Sequence, residues 1–305
     1  MSTMPSGNTA LVAVDWGTSA LRAARLSGTG EILEERASPQ GILAVQPGQF
    51  ATIFEANYAD WIRANNPICL ISGMAGSKQG WVEAPYCPCP AGFDDVAARL
   101  RWIDEGPRTH RIAIVPGLSC EHAHAPDVMR GEEVQILGAM QLTGQREGIF
   151  VLPGTHSKWV RVEQGRVRHF KTCMTGEVFG LLAQQSILAK TVNVAATLDE
   201  AAFQRGVGLA AQGQGLLHNA FSARTLSLFN RLDADALASY LSGLVIGEEL
   251  QAQRLEPGQQ VVVIGSDSLT HRYALALGWH GIGSRRLGSE STWAGLFALF
   301  KALKL

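Results

Sequence analysis

The sequence predicts an α/β fold of two similar domains related by an internal duplication. The first observation is a strand, a tight turn and a second strand over residues 10–26, a pattern that returns over residues 148–162. Both copies have an apolar run before a Gly-Thr turn and an alternating run after it. The second observation is composition, because 46% of the 305 residues are hydrophobic and 17% are charged, which suits strands buried on both faces. At this length two domains are the prior expectation, and we predict them at 1–143 and 144–305.

A second turn at matching offsets strengthens the duplication. After the first hairpin, Gly28-Thr29-Gly30 supplies the backbone freedom that a tight turn needs before a third strand. Gln164-Gly165 stands at the corresponding place in the second copy. Each copy therefore predicts a three-stranded meander.

The remaining elements follow from periodicity and from glycine turns. Between the copies we predict a helix at 49–65, a short strand at 67–74, a strand at 111–118 and a helix at 131–141. After the second copy we predict helices at 178–189 and 237–254, a buried strand at 260–266 and a final helix at 293–303.

Charge and cysteine content exclude several classes of function. The net charge of −1 gives no broad basic surface for nucleic acid or for an anionic membrane. The five cysteines are an odd number in a chain too large to need disulfides, which indicates a reducing compartment. Cys87 and Cys89 have no second pair at zinc-ligand spacing. Since no leader segment or apolar span is evident, we expect a cytoplasmic protein without cysteine-bound metal.

The first turn has the composition of a phosphate and metal site. Asp15 ends a buried strand, and Gly17, Thr18 and Ser19 offer consecutive backbone N–H groups and two hydroxyls. Such a turn can cradle an anion, and a carboxylate at a strand end can hold hydrated Mg²⁺ bridging two phosphates. The alternative is an ordinary hairpin in which Asp15 caps its own turn.

Two later segments extend this interpretation to a whole nucleotide. The second turn would bind phosphate through Gly154, Thr155, Ser157 and Lys158, although Lys158 could instead be a solvated strand residue. Gly265 and Ser266 follow a buried strand, where a glycine lets a purine approach the backbone. Neither a GxxxxGK[ST] loop nor a GxGxxG fingerprint occurs, which removes two large nucleotide-binding classes.

An acidic helix start supplies candidates for a general base. Phosphoryl transfer to a hydroxyl needs a carboxylate that takes the proton, and Asp127, Glu132 and Glu133 lie together in the sequence. The same acidic turn would also suit the helix dipole without any catalytic role. Arg130 could pair with a carboxylate substrate or with either glutamate.

In this combination the motifs resemble those of the sugar kinase, actin and Hsp70 superfamily. The residues of the segments 14–19, 73–77, 129–135 and 153–159 resemble the motifs of the 2-dehydro-3-deoxygalactonokinase family. The resemblance implies two ribonuclease H-like, actin-like ATPase domains with a cleft between them, and ATP and Mg²⁺ as cofactors. It implies phosphorylation of 2-dehydro-3-deoxy-D-galactonate at its 6-hydroxyl, in the De Ley-Doudoroff breakdown of galactonate and galactose.

The resemblance also implies roles for particular residues. The superfamily places an Asp base at the start of the helix before the second phosphate turn, and Glu132 stands there, with Glu133 and Asp127 as the other carboxylates to consider. The loop residues Gly76, Ser77, Lys78 and Gln79 would border the sugar site with Arg130, unless the loop is only a packed surface loop. The partner would be a small sugar acid, and a homodimer is left open. Two other functions stay open: a sugar-acid sensor without turnover and a phosphoanhydride hydrolase.

Overall fold

The computed structural model describes residues 8–63, 66–104 and 111–303. The chain divides into two compact units. The first comprises Met1–Gly148, Val160–Phe170 and Ser289–Leu305, and the second comprises Ile149–Trp159 and Lys171–Gly288. Within the described ranges, no helix combines the length and the apolar character needed to cross a membrane.

The described strands and helices are as follows. The strands are β1 (Leu11–Trp16), β2 (Leu21–Leu26), β3 (Ile32–Ser38), β4 (Ile68–Gly73), β5 (Cys87–Pro88), β6 (Arg101–Trp102), β7 (Arg111–Ile114), β8 (Leu118–Cys120), β9 (Asp127–Met129), β10 (Gly148–Leu152), β11 (Ser157–Glu163), β12 (Arg166–Cys173), β13 (Gln260–Ile264) and β14 (Gly283–Leu287). The helices are α1 (Phe50–Arg63), α2 (Phe93–Ala97), α3 (Glu132–Thr143), α4 (Thr175–Gln185), α5 (Glu200–Ala210), α6 (Leu216–Asn219), α7 (Phe221–Leu228), α8 (Ala234–Gln253), α9 (Asp267–Trp279) and α10 (Glu290–Ala302).

The two larger sheets repeat one strand order. The six-stranded sheet runs β3-β2-β1-β4-β7-β6, in which β1 to β3 are an antiparallel meander and β4 is parallel to both β1 and β7. The five-stranded sheet runs β12-β11-β10-β13-β14, and β13 is parallel to both β10 and β14. A meander followed by two parallel strands therefore occurs twice, which confirms the predicted α/β class and its duplication. Strands β5, β8 and β9 form a small separate sheet.

An aromatic cluster fixes the end of β1, where the first turn begins. The ring of Trp16 meets the edge of Phe50 at 5.3 Å between centroids, and Phe54 lies 5.5 Å from Trp81. Aromatic pairs in these tilted and edge-on arrangements add to the energy of apolar burial. Helix α1 and the loop after β4 are thus held against the strand that carries Asp15.

Helix α10 crosses α3 at two glycines. A Cβ at Gly138 would overlap the backbone of Ser291, and one at Gly295 would overlap the carbonyl of Val134. The two backbones approach closely because neither position carries a side chain. The helix that begins with Glu132 and Glu133 is therefore seated against α10 in the first unit.

This seating explains why the compact units differ from the predicted domains. The predicted division at 143 and 144 assigns everything after it to the second domain, whereas residues 160–170 and 289–305 group with the first unit. Helix α10 follows the second unit in sequence but packs on α3 of the first unit. A single division point in the sequence cannot assign such a segment to the first unit. The predicted domains stay a prediction.

Two predicted elements differ most in their extent, whereas the helices predicted at 237–254 and 293–303 begin only three residues earlier than predicted. The strand predicted at 111–118 is divided into β7 and β8, because Pro116 and Gly117 interrupt it. The helix predicted at 178–189 begins earlier and ends at Gln185. Ser186 then caps a short 3₁₀ turn at Ile187–Lys190 by accepting a hydrogen bond from the Leu188 N–H at 3.0 Å.

Candidate functional site

The first turn is a braced loop with two exposed polar residues at its tip. The N–H of Gly17 donates to the carbonyl of Ala20 at 2.9 Å and closes the turn. The carbonyls of Gly17 and Thr18 accept from Ile42 and Leu43 at 3.0 and 3.2 Å. Within the described chain, the N–H groups of Thr18 and Ser19 donate to no protein acceptor. Consecutive free N–H groups on a rigid turn can bind an anion.

Asp15 lies beside this turn in an ion pair. Its Oδ2 is 2.5 Å from Nη2 of Arg22, and the side chain of Asp15 is 16% exposed. Arg22 is not among the residues predicted from the sequence. A signal was present, however, because a four-residue turn between Trp16 and Leu21 pairs Asp15 with Arg22 across the hairpin.

The acidic helix start meets the first turn through two glycines. Gly73, at the end of β4, has a φ of +91°, and a Cβ there would lie 3.3 Å from Oδ1 of Asp15. Gly131 has a φ of +105°, and its Cβ would lie 3.2 Å from Cα of Gly73. Both values lie where L side chains are strained, so glycine permits the close approach. The N-terminus of α3 is therefore brought to the strand end that carries Asp15.

The two glutamates at the start of α3 have different surroundings. Oε2 of Glu132 accepts from the Arg130 N–H at 3.0 Å, and Oε2 of Glu133 accepts from the Gly131 N–H at 2.7 Å. Glu132 is partly exposed, whereas Glu133 is fully buried. Oε1 of Glu133 has no hydrogen-bond partner among the described residues. Asp127 lies apart from the helix, on β9, where its Oδ1 accepts from the neighbouring Val128 N–H at 2.7 Å.

Burial, and after it the negative charge of Glu132, raise the pKa of Glu133 to about 8. The two neighbouring carboxyl groups therefore differ in protonation, because the desolvated one, Glu133, resists ionisation. At neutral pH, Glu133 is predominantly the uncharged acid.

The pKa of Glu133 predicts a pH-dependent stability. An unfolded glutamate ionises near 4.5, so between about 4.5 and 8 the folded protein holds a proton that the unfolded chain has lost. The contribution of Glu133 to stability is therefore complete below pH 4.5 and is lost as pH rises through 8. Glu133→Gln mimics the neutral acid, so we expect its free energy of unfolding to change less with pH across this interval. The change should be smaller by about 1.4 kcal/mol for each unit by which the fold shifts the pKa of Glu133.

Denaturant titrations of both proteins from pH 5 to 9 measure this effect. The Glu132→Gln variant is the matched control at the adjacent position, and it should keep most of the slope. Parallel pH profiles for Glu133→Gln and the unmodified protein would contradict the assignment.

Arg130 is held by its surroundings with two donors unused. Its Nη2 donates to the carbonyl of Ala84 at 2.8 Å, and its guanidinium carbon lies 4.4 Å from the ring centroid of Tyr86. Nε and Nη1 are buried and have no hydrogen-bond partner among the described residues. The positive charge of Arg130 lowers the pKa of Glu133, in opposition to burial. A buried donor without an acceptor costs about 1–3 kcal/mol, more when charged.

The predicted sugar loop lies against this arginine. A Cβ at Gly76 would stand 2.8 Å from Nη1 of Arg130, and the hydroxyl of Ser77 is buried without a partner in the described chain. Lys78 and Gln79 are exposed and help to line a cavity of about 440 Å³ with Gly80 and Trp81. The structure thus brings Gly76, Ser77 and Arg130 together, with Lys78 and Gln79 at the neighbouring surface.

The second turn is joined to the start of α4. Gly154 is partly exposed and its N–H lies 3.5 Å from Oγ of Ser157, while the Thr155 carbonyl accepts from the Glu177 N–H at 3.0 Å. The neighbouring His156 pairs with Glu177 at 2.5 Å, outside the phosphate-binding set.

Lys158 is not the solvated strand residue of the alternative interpretation. The residue is 6% exposed, and its Nζ donates to the hydroxyl of Thr172 at 2.8 Å. A positive charge is therefore held two residues after the exposed tip of the second turn.

The third motif lies next to the second turn. Gly265 donates to the carbonyl of Leu287 at 3.0 Å, and a Cβ at Gly265 would stand 3.6 Å from the carbonyl oxygen of Pro153. Ser266 is exposed and precedes α9. The predicted phosphate and purine segments of the second unit are thus neighbours. No group of three or more His, Cys, Asp or Glu residues that could hold a metal occurs in the described chain.

Comparison with known proteins identifies the relatives of this chain. The model of the 2-keto-3-deoxy-galactonokinase family matches residues 15–299. The chain is 37% identical over 297 residues to a Rhizobium meliloti (strain 1021) protein assigned as 2-dehydro-3-deoxygalactonokinase DgoK1, covering 95% of this chain and 96% of the relative. It is 32% identical over 267 residues to the 2-dehydro-3-deoxygalactonokinase of Escherichia coli (strain K12), covering 87% and 88%.

Solved structures agree with the sequence comparison. A crystal structure of a protein from Sinorhizobium meliloti, assigned to the same activity, superposes with a TM-score of 0.90 at 36% identity, covering 96% of this chain and 99% of that one. Component A of the (R)-2-hydroxyglutaryl-CoA dehydratase of Acidaminococcus fermentans superposes with a TM-score of 0.51 at 12% identity, covering 96% and 99%. The second similarity concerns the fold alone.

Proposed function

The chain belongs to the 2-keto-3-deoxy-galactonokinase family, and on this premise we propose that it transfers the γ-phosphoryl group of ATP to the 6-hydroxyl of 2-dehydro-3-deoxy-D-galactonate. Membership makes it a carbohydrate kinase, and the position of phosphorylation and the De Ley-Doudoroff pathway belong to the proposal. The observation that supports it best is within the first unit. There the strand end that carries Asp15, an acidic helix start and an arginine with unused donors are brought together around Gly73 and Gly131.

The residues of the first turn fit a nucleotide with magnesium. A Mg²⁺ ion on a nucleotide needs one or two protein carboxylates and keeps several waters, so Asp15 alone suffices. Gly73 leaves room beside Oδ1 of Asp15, where a Cβ would stand at 3.3 Å. When bound, the ion would neutralise charge on the β- and γ-phosphates. Thr18 and Ser19 would donate their N–H groups to phosphate oxygens.

The second unit carries the other residues predicted to bind ATP. Gly154, Thr155 and Ser157 form a turn that offers backbone and hydroxyl donors, and Lys158 adds a positive charge that is shielded from water. Phosphate contacts of this kind gain strength where solvent is excluded. Gly265 and Ser266 would accept the adenosine part, because the glycine lets a flat ring approach the backbone.

The sugar acid would be held through its carboxylate. Nε and Nη1 of the Arg130 guanidinium are buried donors without a partner among the described residues, and each could donate to an oxygen of a carboxylate. The Ser77 hydroxyl would donate to the same group or to a neighbouring oxygen. Tyr86 and the Ala84 carbonyl hold the guanidinium plane, so little conformational entropy is lost on binding.

Among the three carboxylates, Glu132 is the proposed base. It is partly exposed at the helix start beside the Asp15 strand, whereas Glu133 is fully buried and Asp127 lies on β9. Access comes before pKa in choosing a base, since the carboxylate must reach the hydroxyl proton. Glu132 would take the proton of the 6-hydroxyl while the hydroxyl oxygen forms a bond to the γ-phosphorus of ATP. The bond from that phosphorus to the bridging oxygen breaks, and ADP leaves with the electron pair.

Asp15→Ala is expected to lower turnover about 100-fold or more, because removing a preorganised charge from a phosphoryl-transfer site costs several kcal/mol. The KM for the sugar acid should change by less than about threefold. Steady-state kinetics over a Mg²⁺ titration measure both values. Arg22→Gln is the matched control, since it removes the ion-pair partner and keeps the carboxylate. Near-normal turnover by Asp15→Ala would refute the metal role.

An ATP-depletion assay with and without 2-keto-3-deoxy sugar acids tests the proposed reaction. We expect ADP to form only with the acceptor, and the galacto epimer to be used more efficiently than the gluco epimer. Phosphate release without any sugar would favour a phosphoanhydride hydrolase. No turnover with any sugar acid would favour a sensor, and either result would refute the kinase.

A further inference from the structure

A buried carboxylate in the second unit has no part in the reaction described so far. Glu249 lies within α8 and is 5% exposed, with Ile246 and Leu250 among its buried helix neighbours. Burying a carboxylate costs several kcal/mol unless hydrogen bonds compensate. Burial raises the pKa of Glu249, and hydrogen bonds from its neighbours oppose that rise. Such a group needs an explanation beyond core packing.

Three donors from three different elements converge on this carboxylate. Nε1 of Trp159, on β11, donates to Oε1 at 2.5 Å, and the hydroxyl of Tyr273, on α9, donates to Oε2 at 2.6 Å. The hydroxyl of Thr175, the first residue of α4, also donates to Oε2. Glu249 thereby ties β11, α4 and α9 to α8.

Two of these donors, Tyr273 and Thr175, lead back to the second turn. The Tyr273 and Ser157 hydroxyls are 3.0 Å apart, and Ser157 Oγ lies 3.5 Å from the Gly154 N–H. Because Tyr273 donates to Glu249, the Ser157 hydroxyl donates either to the Tyr273 oxygen or to Glu249 itself, and both arrangements leave a lone pair of Ser157 for the Gly154 N–H. The direction of the Ser157 hydroxyl is therefore set by a chain of hydrogen bonds that ends on Glu249.

Thr175 connects Glu249 to the other side of the turn. The next residue, Gly176, lies so close to the turn that a Cβ there would stand 2.5 Å from the Gly154 carbonyl and 2.8 Å from the Thr155 Cα. The Glu177 N–H then holds the Thr155 carbonyl at 3.0 Å. Fixing the start of α4 thus fixes the backbone of Gly154 and Thr155.

We propose that Glu249 is a positioning residue for nucleotide binding: it holds the second turn in its phosphate-binding shape through Tyr273 and Ser157 on one side and Thr175 on the other. The inference rests on the proposed role of this turn in binding ATP. Glu249 itself contacts no substrate. Its effect passes through the hydroxyl of Ser157 and the backbone of Gly154 and Thr155.

The test measures nucleotide affinity separately from catalysis. Titration calorimetry with ADP and Mg²⁺, without sugar, gives Kd for the full chain, and kinetics give KM for ATP and for the sugar acid. We expect Glu249→Gln to weaken ADP binding about tenfold and to raise the KM for ATP similarly, because one acceptor oxygen becomes an amide donor. The KM for the sugar acid should change less than about twofold. Tyr273→Phe should act in the same direction, by about threefold or more.

Glu248→Gln is the matched control, on the same helix one residue away. Glu248 accepts from Asn219 at 3.0 Å and has no link to the second turn among the hydrogen bonds described. Thermal melts of all variants separate a general loss of stability from a loss of affinity. Rescue of ADP binding by Glu249→Asp relative to Glu249→Gln would support a carboxylate role, which simple packing does not predict.

The outcomes distinguish this inference from the proposed function. Unchanged ADP affinity in folded Glu249→Gln would overturn the inference, as would a loss shared equally by the two KM values. If Glu249→Gln does not fold, Tyr273→Phe decides, and wild-type ADP affinity in that variant overturns the inference. A wild-type chain that binds ADP but phosphorylates no sugar acid would refute the kinase and leave the inference standing.

Discussion

Glu132→Gln is expected to lower kcat by about 10²–10⁴-fold, the usual contribution of a positioned general base. The amide keeps the shape of the side chain and its hydrogen bond from the Arg130 N–H, but it cannot take the proton of the acceptor hydroxyl. Because binding does not depend on proton transfer, the KM values for ATP and sugar acid should stay within about threefold. Steady-state kinetics with both substrates varied provide the measurement.

Two neighbouring carboxylates are the controls for Glu132. Glu133→Gln removes a group that is already neutral near pH 7, so its kcat should remain within about tenfold of the unmodified value. Asp127→Asn alters a β9 carboxylate and should have a smaller effect still. If Glu133→Gln or Asp127→Asn loses more activity than Glu132→Gln, the base is assigned to the wrong residue.

Arg130→Met is expected to raise the KM for the sugar acid by about 30-fold to several thousand-fold. The range follows from the 2–5 kcal/mol lost when one partner of a buried, hydrogen-bonded charge pair is truncated. Methionine fills the space beside Gly76 and Tyr86 but cannot donate to a carboxylate. ADP affinity should not change, because this arginine is assigned to the acceptor and not to the nucleotide.

Two controls test the role of Arg130, one a variant of the protein and the other an analogue of the substrate. Lys78→Met removes an exposed positive charge from the same loop and should change the KM by less than about threefold. A substrate analogue in which an amide replaces the carboxylate should bind the unmodified protein as weakly as the acid binds Arg130→Met. Equal discrimination between acid and amide by both proteins would remove Arg130 from carboxylate recognition.

The repeated fold was predictable because its signals are local. A buried strand, a glycine turn and an alternating strand can each be identified within about ten residues, and their recurrence at residues 10–26 and 148–162 gives the duplication. The structure then confirms two sheets with the same strand order. Register was accessible as well, since the length of the turn alone sets Asp15 opposite Arg22.

The surroundings of the site could not be predicted, because they depend on contacts between distant residues. Arg130 meets Ala84 and Tyr86 across more than forty residues of sequence, and composition left its pairing with either glutamate open. Lys158 is polar by type, yet the strand that carries it is buried there. Glu249 gave one usable signal, a charged residue where helical spacing predicts an apolar one, although sequence does not reveal its three donors.

The crossing of α10 over α3 has a consequence for the order in which the protein is made. The ribosome delivers α10 only after every residue of the second unit has been synthesised. Until then, the glycine face of α3, which α10 covers in the finished protein, lacks its partner helix. The helix start bearing Glu132 therefore acquires its final support only after the ribosome has added every residue of the second unit, so the acidic helix is fully seated after the second phosphate turn has been synthesised.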